Sequence, residues 1–236
     1  MKAPVICIDG PAASGKTTIA KILADRLAYF YLDTGVLYRA VTWVAAEKGI
    51  APSDEDRLAK LARNTAIEVK AAPPGDPRQT LVLADGDDVS LAIRSPEVDA
   101  NVSEVSAHAE VRKALIDVQR SVADKGGVIL AGRDAGTVVW PEAEVKLFLV
   151  ASEEERARRR QKQAEIQGIS VDFDTVLAEL RRRDAYDSGR AVAPLRAASD
   201  AIIIDSTSLS IEQVVEKALQ LFQEKTGLVV SSGGGA

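Results

Sequence analysis

The sequence predicts an α/β fold: a parallel β-sheet covered by helices on both faces, in three α/β/α layers. Two observations carry this. Short apolar runs of strand length alternate with stretches of helical periodicity along most of the chain, the pattern of strands joined by crossover helices. Val128–Ala131 and Val145–Val150 read as strands buried on both sides rather than on one. A third observation marks an exception. Between residues 66 and 84 the texture changes to short strands separated by the turns APPGDP and DGDD, which predicts a small antiparallel insertion.

In order, Val5–Asp9 is a β-branched run ending at a glycine, and Lys16–Leu27 has helical periodicity. Tyr29–Leu32 is strand-like and leads into a helix over Val36–Lys48, stopped by Gly49. Pro52–Arg63 reads as a helix capped by Ser53, with acidic residues in its first turn. Ala66–Ala72 and Gln79–Ala84 are the inserted strands. Glu97–Lys125 is helical and broken near His108. The buried strands at 128–131 and 145–150 are each expected to lead through a polar turn into a helix. Glu153–Gln167 and Asp174–Tyr186 are charged helices, Ala201–Ile204 is the last strand, and Ile211–Lys225 is a closing amphipathic helix. The tail over 229–236 is expected to be disordered.

At 236 residues the chain suits one domain, large enough to fold without disulfides or structural metals. The net charge of −5 argues against a general nucleic-acid binder, although arginines concentrate between Arg156 and Arg196. The lone Cys7 excludes an intramolecular disulfide and fits a reducing, cytoplasmic setting. No run reaches membrane-spanning length, and no long apolar helix face suggests an oligomer, so a soluble monomer is expected.

Gly10, Pro11, Ala12, Ala13, Ser14, Gly15, Lys16 and Thr17 match the G-x-x-x-x-G-K-[ST] pattern in full. The glycines let successive N–H groups face phosphate oxygens, Lys16 reaches the outer phosphates and the Thr17 hydroxyl can ligate Mg²⁺. Thr18 completes the set expected to hold ATP. The motif lies between a predicted strand and a predicted helix, whose N-terminus adds its dipole. Gly10, Asp33, Gly132–Asp134 and Asp205 all follow predicted strands, so their loops converge on one edge of the sheet.

A phosphate loop alone does not name a function. Neither Asn64 nor Asn101 is followed by lysine, so a guanine-reading N-K-x-D is absent. Small-molecule kinases remain, and these need a second anion site and a cover that excludes water. Arg39, Arg133, Arg183, Arg190 and the cluster Arg156 to Arg160 are candidates, since planar, permanently charged guanidinium groups suit a phosphoryl group in transit. Asp134 beside Arg133 offers a carboxylate and a donor that could read a base edge. Lys16, Arg133 and Arg190 are the candidate catalytic residues. No general base is needed, because a phosphate acceptor is already an anionic nucleophile. His108, the only histidine, reads as structural or surface. Another small-molecule P-loop kinase, acting on UMP, AMP or shikimate, and a non-catalytic ATP-binding regulator stay open as alternatives.

The stretches VICIDGPAASGKTT, LDTGVLYRAV, GDDVSLAIRSPEV, AGRDAGTVVWP, RRRDAYDSGRAVAPL and DSTSLSIEQV resemble the bacterial cytidylate kinases over nearly the whole chain. That resemblance implies transfer of the γ-phosphoryl group of ATP to CMP or dCMP. It also implies a P-loop kinase core at 1–35 and 127–236, a monophosphate-binding region with the β insertion at 36–126, and a helical lid at about 156–168. By the same resemblance, Ser103, Arg112 and Asp134 read cytosine, while Arg183 and Asp187 hold the ribose. Arg39, Arg133 and Arg190 grip the monophosphate, Thr34 and Tyr38 line its pocket, and Arg156 covers the ATP base. Three positions depart from the commoner pattern. The loop reads PAASGKTT for PSGAGKGT, Thr34 stands where serine is frequent, and Ala131 stands where some relatives carry an acidic residue.

Overall fold

The computed structural model describes residues 2–73, 75–76, 78–166 and 168–229. Its strands in chain order are β1 (Val5–Asp9), β2 (Phe30–Asp33), β3 (Ile67–Ala71), β4 (Thr80–Ala84), β5 (Asp87–Asp88), β6 (Val128–Gly132), β7 (Val145–Val150) and β8 (Ile202–Asp205). The α-helices are α1 (Lys16–Leu27), α2 (Gly35–Glu47), α3 (Glu55–Asn64), α4 (Pro96–Val105), α5 (Ala109–Ala123), α6 (Glu153–Ile166), α7 (Phe173–Gly189) and α8 (Ile211–Thr226). Five strands form one parallel sheet in the order β2-β6-β1-β7-β8, and β3-β4-β5 form a separate antiparallel sheet.

β1 lies at the centre and every one of its residues is buried. Its side chains alternate between two cores, as a strand's period of two requires. Val5 and Cys7 join Leu32, Leu130 and the apolar faces of α2, α3 and α5. Ile6 and Ile8 join Ile129 and Leu147 beneath α1 and α8. That division makes the three expected layers, with each fully buried Leu or Ile stabilising the fold by about 1.5–3 kcal/mol.

Several details differ from the expectations. The helix expected from Pro52 begins at Glu55, because Ala51–Asp54 closes as a turn (Asp54 N–H to Ala51 O, 3.0 Å). Its cap is therefore Asp54, which accepts from the Arg57 amide at 3.1 Å, and not Ser53. Asp87–Asp88, read as turn, makes a third short strand of the insertion. β6 leads not into an α-helix but into one π-helical turn, Ala135–Val139. The helix break expected near His108 is present, with α4 ending at Val105 and His108 standing just before α5, its Nε2 2.7 Å from the Pro52 carbonyl. From residue 230 on, the expected tail lies outside the described residues. Among the described residues no helix is long and apolar enough to cross a membrane.

Candidate active site

The phosphate loop joins β1 to α1 at the carboxyl edge of the sheet. Gly10 has φ +149°, and a Cβ there would lie 2.1 Å from the Leu149 carbonyl oxygen of β7, so only glycine fits. Gly15 (φ +95°) turns the chain into α1, while Ala13 adopts a left-handed φ of +58° without being glycine. Lys16 is buried, and its Nζ spans the loop to donate to the Pro11 carbonyl at 2.5 Å and to Ser14 Oγ at 3.3 Å. Burial lowers its pKa well below the usual lysine value, and Arg133 and Arg183 add to this against the opposing pull of Asp33 and Asp9.

Two cavities open on either side of this loop. The first, about 240 Å³, is lined by Thr34, Tyr38, Arg39, Ser103, Arg112, Arg133, Asp134, Arg183, Asp187 and Arg190. All ten residues expected around the acceptor are thus brought together from α2, α4, α5, α7 and the loops after β2, β6 and α7. The second, about 800 Å³, is lined by Ser14, Gly15, Thr18, Arg159, Ser206 and the start of α8. Ala13, Lys16, Thr17 and Asp33 line both, so the cavities meet where a lysine, a hydroxyl and a carboxylate face one another. Ala12 lines the first cavity only, and Gly10 and Pro11 line neither.

The first cavity is built from charged pairs withdrawn from water. Arg112 pairs with Asp134, donates to the Ser106 carbonyl at 2.9 Å and lies 5.0 Å from the centre of the Tyr38 ring. Arg133 Nε donates to Asp187 at 2.8 Å, and Arg190 lies 3.8 Å from the same carboxylate. Burial brings Arg183 down to about 10, with the neighbouring Arg133 contributing. The buried Nε of Arg183 and Nη2 of Arg190 have no hydrogen-bond partner among the described residues. Unmatched buried guanidinium donors of this kind call for an acceptor, and an anion supplies it. Arg39 is held by Asp99 at 2.6 Å and by the Ile93 carbonyl at 3.1 Å. Thr34 donates to the Ala131 carbonyl at 3.2 Å.

Arg156 corrects an expectation. It does not line either cavity. Its side chain is buried behind the phosphate loop, paired with Asp184 and donating to the carbonyls of Ala151 (3.1 Å) and Ala12 (3.2 Å). Held by these partners, it ties the phosphate loop to the α6–α7 pair and lies apart from both cavities. Arg159, one turn further along α6, faces the second cavity instead and holds the Ser206 carbonyl at 2.6 Å.

Residues that the sequence reading did not single out stand at the site as well: Arg94 and Asp99 line the second cavity, and Asp9 lies behind the phosphate loop, while Arg160 belongs to the expected arginine cluster. Arg160 lines both cavities and lies 3.8 Å from Asp99. A strand-end carboxylate in an apolar run was the available signal for Asp9; Asp99 carried none. Thr17 and Asp33 are hard oxygen donors at the junction of the cavities, which suits a Mg²⁺ ion that keeps most of its ligands as water and phosphate. No larger cluster of metal-ligating side chains occurs among the described residues.

Comparison with known proteins places this arrangement. A family model described as "Cytidylate kinase" matches residues 6–224. A cytidylate kinase of Geobacillus sp. (strain WCH70) is 50% identical over 222 residues, covering 94% of this chain and 97% of that protein. One from Bacillus subtilis (strain 168) is 45% identical over 221 residues, again 94% and 97%. A bifunctional pantoate ligase/cytidylate kinase of Synechococcus elongatus is 45% identical over 223 residues, covering 94% of this chain and 42% of that protein. Among solved structures, an uncharacterized protein from Eubacterium ventriosum has a TM-score of 0.51 at 14% identity, over 94% of this chain and 99% of that one, a likeness of fold alone. The chain belongs to the cytidylate kinase family.

Proposed function

We propose that the chain transfers the γ-phosphoryl group of ATP to CMP or dCMP, giving CDP or dCDP and ADP. The observation that carries this reading is the meeting of the two cavities at Lys16 and Thr17, one lined by the phosphate loop and the other by unmatched arginines beside the Arg112–Asp134 pair. ATP occupies the larger cavity with its phosphates on Ser14–Thr18. The nucleoside monophosphate occupies the smaller, with cytosine against Ser103, Arg112 and Asp134 and the ribose against Arg183 and Asp187.

Arg39, Arg133 and Arg190 grip the acceptor phosphate, whose oxygen is the nucleophile. Arg39 exchanges Asp99 for that phosphate. Lys16 follows the transferred group, and Arg133 and Arg190 neutralise charge on it, so alignment and electrostatics supply the catalysis. Thr17 and Asp33 would hold Mg²⁺, which when bound neutralises charge on the donor phosphates. The segment 156–168 acts as a lid, and residues 36–126 form the acceptor arm. The enzyme works as a cytoplasmic monomer on small nucleotides, without nucleic acid.

The test is an ADP-release assay with ATP·Mg²⁺ and a panel of CMP, dCMP, UMP, AMP, GMP, dTMP and shikimate. Fast turnover confined to CMP and dCMP is expected. Turnover with shikimate or AMP alone would overturn the acceptor assignment, and silence with all would favour a regulator.

A further inference from the structure

Asp9 is the last residue of β1, on the face that carries Val5 and Cys7 into the core. A strand buried on both sides has no reason from packing to end in a carboxylate, and this one is 4% exposed. Both of its oxygens are used. Oδ1 accepts from the Ala135 amide and Oδ2 from the Gly136 amide, each at 2.8 Å. Those amides open the π-helical turn, where backbone donors have no partner of their own within the turn. The turn closes on the carbonyl of Asp134, which accepts from Val138 N at 2.9 Å. Gly136 permits the close approach: a Cβ there would lie 3.4 Å from Cys7 Cβ and 3.3 Å from the Lys146 side chain.

Asp9 is therefore joined by one peptide bond to the phosphate loop and by two hydrogen bonds to the segment that presents Arg133 and Asp134. We infer that Asp9 is a positioning residue that fixes the Asp134–Arg112 pair relative to the phosphate loop and thereby sets discrimination between cytosine and uracil acceptors. This rests on the acceptor reading proposed above. Only a carboxylate can do this with both N–H groups. An amide offers one acceptor and turns a donor against the other amide. The charged groups facing Asp9 are Lys16 from α1 and Asp134 from the loop after β6, with the Cys7 thiol on its own strand. Burial raises its pKa to about 6, so acidification weakens the hold.

The experiment measures kcat/KM for CMP and for UMP on the full chain between pH 5.5 and 7.5. Their ratio cancels titration of the acceptor phosphate, which both substrates share. In Asp9→Asn the CMP:UMP ratio at pH 7.5 should fall roughly tenfold while the Kd for ATP stays within about twofold. The wild-type ratio should fall as the pH drops through about 6, whereas the ratio of the variant should be flat. An unchanged ratio in Asp9→Asn overturns the inference, as does a fall matched by an equal loss of ATP affinity, the mark of general misfolding. If the variant does not fold, a wild-type ratio independent of pH overturns it alone. An enzyme inactive on CMP at every pH would sink the acceptor reading and this inference with it. One active on CMP with an unmoved ratio sinks this inference only.

Discussion

Arg112→Met removes one half of a charged pair in which Arg112 is 6% and Asp134 4% exposed. The Asp134 carboxylate then stays buried without its partner, and breaking a buried pair from one side costs about 3–5 kcal/mol. For a chain of this length each kcal/mol moves the midpoint of thermal unfolding by about 2–4 °C, so a drop of roughly 6–20 °C is expected. Asp134→Asn should cost less, because Arg112 keeps the Ser106 carbonyl and the face of Tyr38. The double variant Arg112→Met/Asp134→Asn buries no unpaired charge. Its loss should fall short of the sum of the singles by about 2 kcal/mol or more, within the range for contacting residues. Urea unfolding followed by the fluorescence of Trp43 and Trp140, both packed against the α2–α5 core, gives all four free energies. Additive losses, within about 0.5 kcal/mol, would refute the pairing argument and leave the two residues as independent contributors.

Arg156→Ala should destabilise the chain by about 3 kcal/mol and raise the KM for ATP by loosening the carbonyl of Ala12. Its preference for ATP over GTP should not change; a collapsed preference with intact stability would restore a base-covering role. Asp99→Asn should lower the KM for CMP by up to about fivefold at constant kcat, since a partly exposed pair is worth about 0.2–1 kcal/mol and the acceptor phosphate must displace it from Arg39. A raised KM would mean that Asp99 orients Arg39 instead of competing for it. Asp9 should leave a mark on stability. Its folded pKa is raised from 3.8 to about 6, so its contribution is complete below the unfolded value and lost as the pH rises through the folded one. The stability of wild type relative to Asp9→Asn should therefore shrink by up to about 3 kcal/mol between pH 4 and 7, measured by urea unfolding. A constant difference would contradict the raised pKa.

The parallel sheet and the phosphate loop were legible because their signals are local. Five residues of strand followed by a glycine turn and a lysine at a helix start leave little choice of conformation. The residues lining the acceptor cavity came chiefly through the family resemblance: eight of the ten lie in its quoted stretches, whereas Ser103 and Arg112 lie outside them and carried no local signal of their own. What the sequence did not carry was orientation. Arg156, Arg159 and Arg160 share one charged run, and nothing local says that the first turn of α6 presses Arg156 behind the phosphate loop while the next turn presents Arg159 and Arg160 to the cavities. Asp9 finds its partners 126 and 127 residues away, and Asp99 meets Arg39 across 60. The π-helical turn escaped because it is held by that distant carboxylate and by a close glycine contact rather than by its own propensity.

The charge distribution explains why arginine recurs in the acceptor cavity. The chain as a whole is acidic, with a net charge of −5, yet Lys16, Arg133, Arg183 and Arg190 line one small cavity where Asp187 serves two of them. Burial pulls Lys16 and Arg183 below their ordinary values, and Arg133 adds to the fall in both. Arg183, brought to about 10, remains charged at neutral pH. A lysine at that position starts about two units lower and would be carried close to losing its proton. Where a cation must stay charged out of water, guanidinium has further to fall than ammonium before it loses its proton, and the anionic substrates add countercharge to that of Asp187. Arg112, Arg133 and Arg190 are held in place by Asp134 and Asp187, so part of the reorganisation that binding two phosphates requires is already made by the fold.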